Sequence, residues 1–293
     1  MADGIEGVRA LLTGKPRPVG WDERRARMEE VCSVDGSPPG VTFEALQVAG
    51  RPAEWSFTNE SRADRAVLFL HGGGYCSGSI VSHRRMAGGI ARNARVRTLA
   101  LGFRLAPEHP YPAALEDALA AWDWLRAQGF AAQHIALAGD SAGGGLSLAV
   151  MLSLRARGEA LPGCGWLISP WTELTMSGAS LADRDAVDPL IHTGYLDSLA
   201  TAYLGGHDPR DPLVSPLFAD LTGLPPLLIS VGSDETLLDD SLRLARAAAV
   251  AHVDVALHVF PRMIHAFPLW EARLPEGRAA LAEAGAFVDR WLG

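Results

Sequence analysis

Ser141 stands at the centre of Gly139-Asp140-Ser141-Ala142-Gly143. Before it runs His134-Ile135-Ala136-Leu137-Ala138, which reads as a short buried strand. After it, Ala142 to Met151 reads as a helix that starts tightly packed. A serine at the tip of so sharp a turn needs neighbours without bulk. The turn exposes Oγ and sets it at a helix N-terminus, where negative charge is favoured. This strand–turn–helix is the context of a G-x-S-x-G nucleophile elbow.

The rest of the chain has the rhythm such an elbow requires. Apolar strand patterns fall at 66–70, 96–102, 135–138, 165–168, 227–231 and 255–259. Helical patterns lie between or after them at 82–92, 113–128, 144–157, 237–249 and 276–292. Two further strand patterns, 42–48 and 53–58, precede the series. Strands alternating with longer helices predict an α/β fold with a mostly parallel sheet covered on both faces. The segment 176–204 breaks the rhythm, and residues 1–40 carry two helical patterns that end at Ser37-Pro38-Pro39-Gly40. Both are expected to form a helical cap over the C-terminal strand edge, where α/β sites lie. The expected division is 1–40 and 176–210 for the cap, with 41–175 and 211–293 forming the two parts of the catalytic domain.

Composition narrows the function. A chain of 293 residues that is 48% hydrophobic has material for a sizeable core. Its net charge is −8 and it has no basic run, so a nucleic-acid partner is not expected. Cys32, Cys76 and Cys164 are too few and too scattered for a disulfide framework or a thiolate metal site. The acidic start lacks an apolar leader, and no stretch approaches about 18 apolar residues. A cytoplasmic protein without membrane insertion is expected.

Acyl transfer on an elbow serine needs an acid and then a histidine, in that chain order. Asp234 lies just past the strand pattern 227–231, where a loop can hold a carboxylate toward the site. Asp239 and Asp240 fall inside the next helical pattern and are read as tethering or solvated groups. Of the nine histidines, His265 alone follows the acid on a loop shortly after a strand. His258 lies within that strand, His252 in a connecting loop, and His192 and His207 precede the acid. Upstream, the strand 66–70 ends in His71-Gly72-Gly73-Gly74, a loop type that brings backbone N–H groups close to a developing oxyanion.

With His71–Gly74, Phe103 to Ala114 (FRLAPEHPYPAA), Gly139 to Gly144, Ser169-Pro170-Trp171, Asp234 to Asp240 and Ile264-His265, the chain resembles the bacterial hormone-sensitive-lipase-like esterases of the α/β-hydrolase superfamily. The likeness runs over nearly its whole length. Three departures are local. Phe103 stands where the family commonly has Tyr, Asp234-Glu235-Thr236-Leu237 where it has Asp-Pro-Leu, and His265-Ala266-Phe267 where it has His-Gly-Phe. Ala266 is expected to tighten the space beside the base.

The resemblance implies an α/β-hydrolase fold and a serine carboxylesterase. Ser141 is implied as nucleophile, His265 as base and Asp234 as its orienting acid, with Gly73, Gly74 and Ala142 donating to the oxyanion. It implies small ester substrates, best at about four to eight acyl carbons while each methylene still gains ~0.8 kcal/mol of burial, and no cofactor or metal. His71 is implied to support the glycine loop. Arg104, Glu108 and His109 are read as locking the Pro-rich turn, Asp140 as structural, Glu173 as a possible hydrogen-bond partner near the Ser141 turn, and Cys76 as a small packed residue. Trp171, Leu190, Ile191, Tyr195 and Phe267 are candidate pocket walls. A homodimer through the strand 255–260 is a family analogy. A lactone or amide hydrolase would share the triad; a non-catalytic small-molecule receptor on this fold would lack the histidine.

Overall fold

The structure, a computed structural model, describes residues 4–293. Two helices come first, α1 (Ile5–Thr13) and α2 (Trp21–Cys32). Then follow β1 (Thr42–Val48), β2 (Arg51–Phe57), β3 (Arg62–Leu70), α3 (Ile80–Ala94), β4 (Val96–Leu101), α4 (Ala113–Ala127), β5 (Ile135–Asp140), α5 (Ala142–Ala156) and β6 (Cys164–Ile168). The short α6 (Ser180–Asp183) and α7 (Thr193–Leu204) intervene before β7 (Leu227–Gly232), α8 (Leu238–Val250), β8 (Val255–Phe260) and α9 (Pro275–Leu292). Every strand and helix expected between 42 and 292 is present, with ends displaced by a few residues.

The strands form one sheet in the order β1-β2-β4-β3-β5-β6-β7-β8. β1–β2 and β2–β4 pair antiparallel; every other pair is parallel. Strand side chains alternate between two cores, as period 2 requires. In β3, Leu68 and Leu70 face Leu115 of α4, Leu148 of α5 and Leu244 of α8. Val67 and Phe69 face the other layer, with Met86 and Ile90 of α3 and Leu281 and Val288 of α9. Both faces are covered, which is why the parallel strands are almost wholly apolar.

Local chemistry sets the element ends. Ser79 caps α3: its Oγ accepts from the amides of Val81 and Ser82, and Ser82 Oγ accepts from the Ser79 amide. The C-terminal ends of β3, β5 and β7 open toward one side. Over it lie α1, α2 and α7 with the loop before α7.

Candidate active site

The elbow forms between β5 and α5. Ser141 has φ 54° and ψ −122°, a left-handed-side backbone that a non-glycine residue adopts only when its surroundings force it. Two bonds impose it: the Ser141 amide donates to Ile168 O at 2.8 Å, and the Trp171 amide donates to Ser141 O at 2.9 Å. The Ser141 side chain makes no capping bond to α5, so Oγ is left for chemistry. The turn also requires close backbone approach. A Cβ at Gly143 would lie 1.9 Å from Leu70 O, which is why a glycine follows the serine at this spacing.

Asp140 ties the elbow to the glycine loop. Its Oδ1 accepts from the Gly72 amide at 2.9 Å, and its Oδ2 lies 3.3 Å from His83 Nε2. Burial alone would raise its pKa, but the charge and hydrogen bond of His83 bring it below the ordinary aspartate value. His71 donates from Nδ1 to Gly72 O at 2.8 Å and stacks on Phe103 with centroids 4.2 Å apart. Burial and the nearby His83 push its pKa down to about 4, so it stays neutral and structural. Gly73 and Gly74 turn the loop with φ 108° and 63°, and they line the same small cavity as Ser141 and His265. Ala142 opens α5 directly behind Ser141.

The acid of the sequence reading is corrected by the geometry. Asp234 does not reach His265. Its Oδ2 accepts from Arg9 Nη2 of α1 at 2.8 Å, and its side chain is 30% exposed. Its neighbour Glu235 is fully buried and accepts from His265 Nδ1 at 3.0 Å through Oε1. Oε2 accepts from Ser169 Oγ at 2.7 Å and from the Gly232 amide at 2.8 Å. Ser169 Oγ in turn accepts from the Ala266 amide at 3.1 Å. A carboxylate only accepts, so Nδ1 carries the proton and Nε2 is left basic. Burial opposes protonation of His265, but the hydrogen bond and charge of Glu235, with smaller contributions from Asp188 and Asp140, leave its pKa raised.

Asp239 and Asp240 act as tethers. Asp239 accepts from the Ala179 amide, and buried Asp240 accepts from the amide and hydroxyl of Thr172. Burial raises Asp240 to about 7. Arg104 pairs with Asp117 and Glu116, and Glu108 pairs with Arg25 of α2, so the Pro-rich turn is locked internally and to the cap. Glu173 accepts from Thr175 and Ser177 and pairs with Arg243, so its carboxylate is engaged by these groups and not by the Ser141 turn. Cys76 is buried, with its thiol pushed up to about 12 by that burial.

Of the expected pocket walls, Leu190, Ile191 and Tyr195 line the cavity that holds Ser141 and His265. Trp171 and Phe267 do not: both are fully buried, in the cores on opposite faces of the sheet. The cavity is small, about 50 Å³, and Met28, Leu196, Leu199 and Leu269 complete its apolar wall. Met28, Leu190 and Tyr195 also line a larger outer cavity of about 380 Å³ between α1, α2 and the start of α7. Asp188 holds the shared wall: Oδ1 accepts from the Leu190 and Ile191 amides, and Oδ2 from the amide of Thr236, next to Glu235. Neither Met28 nor Asp188 was reached from sequence, because no pattern marks which cap residues turn inward. Among the described residues, no group of three His, Cys, Asp or Glu side chains is placed to hold a metal ion, and no helix is long and apolar enough to cross a membrane.

Residues 67–269 match the α/β-hydrolase-fold family. An acetyl-hydrolase of Streptomyces hygroscopicus is 44% identical over 275 residues, covering 94% of this chain and 89% of that one. An esterase of Acinetobacter venetianus is 34% identical over 265 residues, covering 90% and 87%. A crystal structure of an esterase from the bacterial hormone-sensitive lipase family superposes with a TM-score of 0.95 at 43% identity, covering 98% of both chains. With this likeness along nearly its whole length, the chain belongs to the hormone-sensitive-lipase-like family of α/β hydrolases and is a serine ester hydrolase.

Proposed function

We propose that the enzyme is a carboxylesterase for short acyl groups, working through Ser141, His265 and Glu235. One observation carries this reading: His265 donates to buried Glu235 from Nδ1 while sharing a cavity with Ser141, Gly73 and Gly74. Ser141 Oγ attacks the ester carbonyl as His265 Nε2 takes its proton. Glu235 holds the ring and stabilises the imidazolium. The amides of Gly73, Gly74 and Ala142 receive the oxyanion, and each such donor is worth about 10²–10³ in rate. The tetrahedral intermediate collapses as His265 protonates the leaving alcohol. Water, deprotonated by the same imidazole, then releases the acid from the acyl-enzyme.

The acyl preference follows from size. About 50 Å³ around the nucleophile holds roughly three to five water-sized groups at ~10–15 Å³ each. This supports the short end of the expected range. Residues 4–40 and 176–210 act together as the cap; positions 1–3 of the expected cap segment lie outside the described residues. A panel of 4-nitrophenyl esters from acetate to palmitate, with lactones alongside, tests the proposal. The specificity constant should peak among the short acyl chains and fall. A rise continuing through palmitate, with activation at an emulsion surface, would refute the closed pocket.

A further inference from the structure

Lys15, Arg17, Arg24 and Arg27 all line the outer cavity, with His192 on its wall, and no aspartate or glutamate lines it. The chain as a whole carries a net charge of −8, so this wall runs against its composition. Asp22, Glu23, Glu29 and Glu30 interleave with the cations in sequence and conceal the cluster there.

The cations are only partly cancelled by their neighbours. Lys15 and Arg27 share a single carboxylate, with Lys15 Nζ 2.5 Å from Glu30 Oε1 and Arg27 Nη1 2.8 Å from Oε2. Glu23 is engaged elsewhere, accepting from the Val19 amide. Arg17 is exposed and has no ion-pair partner among the described residues. Arg24 is the most constrained of the set. Its guanidinium carbon lies 4.7 Å from the Trp21 ring centroid and 4.8 Å from that of Tyr195. Nη1 donates to Ser198 Oγ at 3.2 Å, while Nε is buried with no partner. Two aromatic faces fix the planar fork before anything binds. Tyr195, one of the two rings, also lines the cavity of Ser141 and His265.

We infer that the outer cavity is a subsite for an anionic oxyacid group, a carboxylate or a phosphate, carried on the part of the ester remote from the nucleophile, with Arg24 and Arg17 as its donors. The inference rests on the serine-esterase reading above. Planar guanidinium groups match either oxyacid, and the surplus charge draws an anionic substrate toward the opening.

Three acetate esters of one phenol framework test it: methyl 3-acetoxybenzoate, 3-acetoxybenzoate and 3-acetoxyphenyl phosphate. At low ionic strength one or both anionic esters should be preferred over the neutral one by about fivefold or more in kcat/KM, mainly through KM. A preference for only one anion identifies the oxyacid. Added salt should shrink the preference. Arg24→Gln and Arg17→Gln should collapse the anionic-to-neutral ratio, and Arg24→Lys and Arg17→Lys should keep part of it. Arg17 is exposed, so its variants test the subsite even if those of Arg24 fold poorly. Hydrolysis of the neutral ester with no anionic preference, or a ratio unchanged in the Gln variants, overturns the subsite alone. No hydrolysis of any of the three overturns the esterase reading with it.

Discussion

Asp234 and Glu235 are adjacent in the chain, yet their carboxylates serve opposite sides of the loop after β7. Glu235 turns in to His265 Nδ1 at 3.0 Å, and Asp234 turns out to Arg9 at 2.8 Å. Glu235→Gln should therefore lower kcat by about 10³–10⁴, because an amide no longer enforces the required tautomer. Asp234→Asn removes a partly exposed ion pair, worth ~0.2–1 kcal/mol, and should stay within about fivefold of wild type. Steady-state kinetics on one short ester checks both, and the reverse ranking would sink the assignment of the acid.

Ser141→Ala should remove turnover by about 10⁶ in kcat while leaving the fold unchanged, as for triad nucleophiles generally. The elbow backbone is held by bonds to Ile168 and Trp171 that do not involve Oγ. Circular dichroism and thermal melting should match wild type. A verified variant retaining a tenth of the activity would exclude Ser141 as nucleophile.

His265 acts as base only when neutral, so the rate falls as pH drops through its pKa. Glu235 raises that pKa despite burial. The acid limb of kcat/KM should accordingly have its midpoint above the ordinary ~6.5 of histidine. A flat profile between about pH 5 and 9 would rule out a histidine base.

Burial raises Asp240 to about 7, against the donated bonds of Thr172. The folded state then holds its proton at a pH where the unfolded chain has released it. Stability from this group is present at low pH and declines as pH rises toward and through about 7. Neighbouring Glu173 adds to the shift and Arg243 opposes it. In Asp240→Asn, the Tm should fall less between about pH 5 and 8 than in wild type. Differential scanning fluorimetry across that range decides it, and an equal or larger fall in the variant would contradict the assignment.

Leu190 lines both cavities and separates the nucleophile from the larger space. Leu190→Ala should move the acyl optimum toward longer chains, since each methylene newly accommodated gains ~0.8 kcal/mol. The ester panel reads this directly. An unmoved optimum would show that another residue limits acyl length.

The sheet, the serine turn and the loop of His265 were legible because each depends on a local pattern. Strand periodicity located β3 to β8, and small residues around Ser141 reported a turn whose backbone tolerates no bulk. The acid was legible only to the loop. Its position past a strand says that a carboxylate can turn in, not which of two neighbours does. Glu235 is chosen by long-range partners, Gly232, Ser169 and His265, while Arg9 claims Asp234 from α1. Two of the five expected pocket walls failed for a related reason, while Leu190, Ile191 and Tyr195 do line the cavity. Trp171 and Phe267 flank reacting segments in sequence but point into the cores. Ala266 has φ 50°, a conformation in which glycine is the unstrained residue.

Asp188 gathers the amides of Leu190, Ile191 and Thr236 on a single carboxylate. Any opening of the wall that carries Asp188 outward takes the acceptor from Thr236, the residue beside Glu235. The wall of the cavity and the loop that carries Glu235 thus share one fastening, so loosening one should loosen the other. Deuterium uptake at the Thr236 amide should report how often that fastening releases.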